Sequence, residues 1–382
     1  ASNQAGRSHV NGNWVRSLGH SQHGLGEFAA AEAALRQSLA MNDLAAVLFA
    51  LGRDAEALTY IRQALELDPD MPEAEESESI WLLRYGRFRD GWRRYEARLR
   101  AAHNKPHTRD FEQPQWTGGP LDGRTILLHA EQGYGDAIQF ARYAPLVAAR
   151  GARVVMAMYD GLMPLFRNMP GVLAVGGNER LPPFDLHCPL VSLPYAFDTD
   201  LDSIPAAVPY VAPDAEHVWR WRARLGARTG PRVGVAWSGN PAHRDDLKRS
   251  IPLAMFRRIV EANPGVEFHV LQTEIRESDR PALARLPNLR DHSGLLADFA
   301  ETAALVSLMD TIVSVDTSLV HLAGAMGWPV WALLASVADW RWMVERDDGP
   351  WYPTAWLFRQ RRRGEWDPVL ADVAARLREM LG

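Results

Sequence analysis

Two short turns hold the residue types best suited to chemistry. The first is Glu131-Gln132-Gly133-Tyr134-Gly135-Asp136, and the second is Asp316-Thr317-Ser318 with His321 beyond it. Each turn follows an apolar, partly β-branched run, Arg124–His129 or Thr311–Val315, that suits a buried strand. Each also leads into a helical stretch. A helix starting straight after a parallel strand points free N–H groups at the sheet's C-terminal edge, where α/β folds bind phosphate. Thr317 and His321, four apart, share a helix face near that positive end. Asp316, Thr317, Ser318 and His321 are therefore candidates for holding a diphosphate. The competing reading is that Asp316 caps and His321 packs. In the first turn, Gly133 and Gly135 allow a close backbone approach. Asp136 either caps its helix or serves as a carboxylate base facing a cleft, with Glu131 as the rival base. Gln139 shares the face of Asp136, and Arg142 follows. The pattern is GxGD rather than GxGxxG, so the dinucleotide fingerprint is absent.

Two further stretches add charge. The strand Arg232–Trp237 runs into Ser238-Gly239-Asn240-Pro241 and then HRDDLKRSIPL. Lys248 and Arg249 there form a basic pair that could clamp a diphosphate, or a solvated loop. The strand Val266–Leu271 ends in Gln272-Thr273-Glu274, where a carboxylate could bind a ribose diol. His187 reads as a packing residue.

The elements that position these residues alternate strand and helix, which predicts parallel sheets covered on both faces. Residues 121–225 form one α/β domain, with further strands at Arg153–Met158, Val172–Val175, Phe184–Cys188 and near Tyr210. Residues 226–365 form a second, in which a helix over Asp298–Met309 feeds Thr311–Val315, and Val330–Leu334 is the following strand. Residues 366–382 form a closing helix that is amphipathic from Pro368. Residues 104–120, with Pro106, Pro114, Gly118, Gly119 and Pro120, read as a linker that Trp116 anchors.

Residues 1–103 have helical spacing and repeat themselves. Leu51-Gly52-Arg53 and Tyr85-Gly86-Arg87 stand 34 residues apart, the tetratricopeptide period, and Pro69 ends the helix pair of the first. An earlier copy holds Leu18-Gly19, Gly26, Phe28, Ala31 and Leu35. Gly26 and Gly52 are only 26 apart, so the join near Ala40–Met41 lacks a segment or has lost a turn. Such arrays present a concave face to peptides, or serve in docking and homo-oligomerisation.

Composition sets the limits. The chain has 382 residues, 47% hydrophobic and 23% charged, with net charge −5, which argues against nucleic acid as a partner. One cysteine, Cys188, excludes an internal disulfide and a cysteine-rich metal site, and suits a cytoplasmic setting. No run approaches the roughly 18 apolar residues of a membrane span. The first residues have no signal-peptide core. Seven of the 14 Trp fall after residue 327, where packing is the expected use of most.

GYGDAIQFARY, RDDLKRSIPL and SVDTSLVHLAGAMG resemble, in order and spacing, the motifs of family 9 glycosyltransferases, the heptosyltransferase-like enzymes. With the repeats and the RWMVERDDGPWYPTAWLFRQ tail, the whole chain resembles bacterial proteins that join tetratricopeptide repeats to such a domain. The resemblance implies an α/β GT-B fold, two facing Rossmann-like domains preceded by an all-α repeat domain, with the closing helix crossing back to the first Rossmann-like domain. It implies inverting transfer of a sugar from a nucleotide-sugar donor, with no metal and no cofactor. Asp136 would be the general base, and Gly133, Gly135 and Gln139 the acceptor-side turn. Arg249, with Lys248 beside it, would contact donor phosphate, and Asp316, Thr317, Ser318 and His321 would cradle the diphosphate. Glu274, with Gln272 near it, would hold the nucleoside. The family often has Gly after the Asp-Thr pair, where this chain has Ser318, so the resemblance does not name the donor. The repeats would present a protein or glycan acceptor, as in transferases resembling the O-linked N-acetylglucosamine enzyme, although these motifs fit the heptosyltransferase type better. The alternative is an inactive scaffold that keeps the fold.

Overall fold

A computed structural model describes residues 24–107, 109–177, 179–243 and 245–381 of the chain. Two compact units form. Of the described residues, one unit holds those up to Leu83 together with Asp90–Pro106, and the other holds Arg84–Arg89 and those from His107 onward.

The first unit is all helical, with Gly24–Ala50, Asp54–Leu67 and Pro72–Arg84 as its longer helices. Ala45 and Leu48 pack on Ala57 and Ile61, so small residues let the first two helices touch. Gly52 and Gly86 both have φ near +75°, which is why the repeat keeps glycine in these turns. Helix Gly24–Ala50 runs unbroken through Ala40 and Met41, so no turn stands at the shortened join. Leu18-Gly19 of the earlier copy lies outside the described residues.

In the second unit the first sheet contains β1 (Thr125–His129), β2 (Arg153–Met158), β3 (Val172–Gly176) and β4 (Leu186–Pro189). All are parallel, in the order β3-β2-β1-β4. The chain starts at β1, builds outward to β3, then crosses to β4 on the other side. The gap between the ends of β1 and β4 is thus the switch point, where α/β sheets open a crevice. The segment before β1 is pinned to this sheet. Trp116 is buried, receives Phe197 edge-on, and donates its backbone N–H to His187.

The second sheet contains β5 (Arg232–Ala236), β6 (Glu267–Val270), β7 (Leu289–Arg290), β8 (Thr311–Val315), β9 (Val330–Leu334), β10 (Asp348–Gly349) and β11 (Tyr352–Arg359). Its order is β10-β11-β9-β8-β5-β6-β7, parallel except for β10. Here the switch point lies between β5 and β8, which pair with Val235 opposite Val313. β5, β8 and β9 are buried along their whole lengths, as strands covered on both faces must be. An all-α repeat segment followed by two Rossmann-like sheets is the GT-B arrangement with a helical preface.

Two expectations are corrected. No strand forms near Tyr210. Pro205, Pro209 and Pro213 cannot donate to a ladder, and the Tyr210 N–H instead bonds the Ala325 carbonyl at a helix C-terminus. The closing helix, Trp366–Leu381, does not cross back to the first sheet but packs on helix Leu253–Glu261 and β11. Its apolar stripe, Trp366, Val369, Leu370, Val373 and Leu377, joins one cluster with Val233, Phe268, Phe256 and Ile259. Among the described residues no helix is long and apolar enough to cross a membrane.

Candidate functional site

Thr311–Leu334 folds as its residue types dictate: strand β8, helix Ser318–Ala325, then strand β9. Thr317 is the extended residue before the helix (φ −139°, ψ 175°), but its side chain does not cap it. The hydroxyl lies 3.2 Å from Ser314 Oγ instead. The helix N-terminus thus carries no side-chain cap from Thr317.

Arg249 ties this turn to the one after β5. It donates from Nη1 to the Asp316 carbonyl at 2.8 Å. Its guanidinium lies against Gly239, where a Cβ would come 2.8 Å from Nη2, so glycine is what admits it. Nε of Arg249 is buried without an acceptor. The arginine therefore sits at the switch point, between the ends of β5 and β8. Lys248 is held within its own loop by Asp245. The Asp316 carboxyl is pushed up to about 6 by burial and by the charge of Asp339, against the pull of Arg249 and Arg341.

Gln272 is spent inside the protein. Its Oε1 accepts the Trp237 N–H at 2.9 Å, and its Nε2 donates to Ser238 Oγ and the Glu274 carbonyl. It shapes the loop after β5. Glu274, just beyond β6, keeps an exposed side chain.

On the first sheet, Gly133 opens helix Tyr134–Phe140, and Asp136 reaches back to accept its N–H at 2.8 Å. Asp136 therefore does cap. Its other oxygen, Oδ1, pairs with Nη2 of Arg341, which comes from the second sheet's side. Arg341 also donates from Nε to Gln139 Oε1 at 2.7 Å and from Nη1 to Asp339 Oδ1 at 2.8 Å. Its guanidinium stacks over Trp340, 4.2 Å from the ring centre. Arg142 is a staple rather than a site residue, buried and donating to Trp351, Pro205 and Tyr210 across the two halves. Glu131 is buried near Asp136. His187 packs, its ring 3.2 Å from the His129 ring nitrogen and against Phe111.

His321 lies where helices Tyr134–Phe140 and Ser318–Ala325 meet. Its ring fills the space that a Cβ on Gly135 would need, stacks on Trp342, and bonds the Tyr352 hydroxyl through Nδ1 at 3.0 Å. Burial, with Arg341, Arg142 and Arg249 nearby, holds its pKa well below the usual value, so it is a neutral imidazole at pH 7. Trp340, Trp342 and Trp351 are all buried, as expected of packing tryptophans, whereas Trp356 is exposed.

The structure thus ties Arg249 to the Asp316-Thr317-Ser318 turn through the Asp316 carbonyl, while Arg341 holds Asp136 and Gln139 and acts electrostatically on Asp316. Sequence reasoning missed Arg341 and Asp339. The local signal was Asp339-Trp340-Arg341-Trp342 shortly after β9, in which Asp339 caps the turn by accepting the Arg341 N–H.

Residues 38–71 match the family described as tetratricopeptide repeat, and residues 294–361 match glycosyltransferase family 9 (heptosyltransferase). One chain thus carries a segment similar to the tetratricopeptide repeat and, further along, a segment similar to glycosyltransferase family 9. That segment runs from just before helix Phe299–Val306 through β11, and so contains Asp316, His321 and Arg341. The protein FlbA of Caulobacter vibrioides is 26% identical over 322 residues, which cover 78% of this chain and 54% of that protein. The chain thus spans about half the length of this curated relative. Among solved structures, a family 9 glycosyltransferase from Veillonella parvula is similar at 11% identity, covering 67% of this chain and 92% of its own, with a TM-score of 0.48. The E. coli ADP-heptose lipopolysaccharide heptosyltransferase II is similar at 15% identity, covering 67% and 99%, also with a TM-score of 0.48. The assignment of the segment rests on the sequence match.

Proposed function

We propose that the chain is an inverting, metal-independent glycosyltransferase that moves a sugar from a nucleotide-sugar donor to a protein or glycan acceptor. The observation that carries this reading is the meeting of the two switch-point turns: Asp136 from one sheet, and Arg249 with the uncapped Thr317 helix end from the other. In the reaction the acceptor oxygen bonds the anomeric carbon while the bond from that carbon to the diphosphate breaks. The electron pair leaves with the nucleoside diphosphate, and Asp136 takes the hydroxyl proton. Arg249 and the helix amides stabilise the charge growing on the leaving group. Glu274, exposed just beyond β6, would take a ribose diol, and the repeats would recruit the acceptor.

The test is a thermal-shift and calorimetric panel of UDP, GDP, ADP and CMP with the matching nucleotide sugars. Binding of at least one is expected, and Asp136→Asn should retain it while losing transfer. If none raises the melting temperature, the reading fails. The ion pair that engages Asp136 favours a second reading, an inactive scaffold. Nucleotide binding with no transfer or hydrolysis across the donor panel would support it.

A further inference from the structure

Arg341 stands between the two charges that the proposed reaction must handle. One nitrogen holds the Asp136 carboxylate, and another holds Asp339. Asp339, Arg249 and Arg341 all act electrostatically on Asp316, at the head of the uncapped helix. Arg341 is only 7% exposed, and its guanidinium stacks on Trp340. Two buried donors near this cation have no acceptor. One is Nε2 of Gln139, on the amide whose oxygen receives Arg341, and the other is Nε of Arg249. Gln139 is fully buried. An oxygen-rich anion entering at the Asp316 turn would meet Arg249, whose Nε has no partner inside the protein.

We propose that Arg341 is a shared cation: it pairs with Asp136 while the donor site is empty and turns to the donor's diphosphate when that site fills. The handover leaves Asp136 held only by the Gly133 N–H and able to take the acceptor's proton. The base is thereby kept occupied until a donor is present. The inference rests on the donor-site reading above and adds to it a competition between Asp136 and the diphosphate for one guanidinium.

Competition has a sign that a merely structural ion pair lacks. The experiment is calorimetric titration of the full chain with ADP, UDP, GDP and pyrophosphate. Asp136→Asn should bind the best of these about threefold or more tightly than the native chain, because the cation no longer has to be withdrawn from a carboxylate. Arg341→Gln should bind about tenfold or more weakly, and the double variant should match Arg341→Gln. Arg341→Lys, which keeps the charge, guards against a folding defect and should retain most of the affinity. Unchanged or weaker binding by Asp136→Asn, with the native chain binding normally, overturns the handover and leaves the donor-site reading standing. No binding of any of the four by the native chain overturns both.

Discussion

Gly135 lacks a side chain at the place where His321 needs the room: a Cβ there would come 2.7 Å from the imidazole Cδ2. The two helices that bring the proposed base and the proposed diphosphate turn together thus touch through a backbone and a buried ring. Gly135→Ala should force them apart and destabilise the second unit by about 1–3 kcal/mol, the usual cost of overpacking. Urea denaturation would measure it. His321→Ala in the same chain should recover part of the loss, and a wild-type midpoint for Gly135→Ala alone would show that the contact is slack.

Arg249 links the ends of β5 and β8 across the switch point. Arg249→Met should weaken binding of whichever nucleoside diphosphate the chain takes by about tenfold or more, the worth of a charge-assisted hydrogen bond. Arg249→Lys should fall between, since a point charge keeps the attraction but loses the fork. Calorimetry on the folded variants decides it, and equal affinity for the methionine variant would remove Arg249 from the site.

Asp316 should leave a mark on the pH profile of stability. Its folded-state pKa, raised to about 6, lies above the value of an unfolded aspartate, so the folded protein holds this proton more tightly. Its ionisation therefore lowers stability as pH rises from about 4 through about 6, and the loss stays constant above that. Asp316→Asn should be more stable than the native chain at pH 8 and no more stable near pH 4. Denaturation midpoints across this range would reveal a gain that is the same at all pH values if the carboxyl is not responsible.

A second titration runs the other way. His269 and His292 stack 5.3 Å apart and share a hydrogen bond of 3.0 Å. Burial first, then neighbouring charge, lowers His269 to about 3 and His292 to about 4. Both are neutral when folded, so the stability they allow is present above about pH 6.5 and is lost as pH falls toward the folded values. At pH 5 the loss should be about 2 kcal/mol per histidine. His292→Gln should flatten about half of this acid limb, which stability curves between pH 7 and 5 would detect.

Much of the fold was legible because its strands are short, β-branched and bounded by caps and glycines. Thr311–Val315 and Val330–Leu334 formed where their residue types placed them. The strand expected at Tyr210 did not, because Pro205, Pro209 and Pro213 left the backbone bonding a helix end instead of a ladder. The meeting of Asp136 with the second sheet was hidden for another reason. Its partner Arg341 lies 205 residues away, and nothing in a Trp-Arg-Trp run says which carboxylate it will find. The same holds for Gln272, whose amide looked available until the loop after β5 closed on it. Local chemistry was readable, whereas pairings made only by tertiary contact were not.

The closing helix sets an order of assembly. The first sheet is complete once β4 has been made, so it can fold while the rest is still being synthesised. The second sheet cannot. Trp366, Leu370, Val373 and Leu377 are part of its core, so its β-strands wait on the ribosome for residues that follow β11. Until then the apolar face covered by that helix is bare. The turn that carries Asp136 is built early, and the cation that grips it is made 205 residues later.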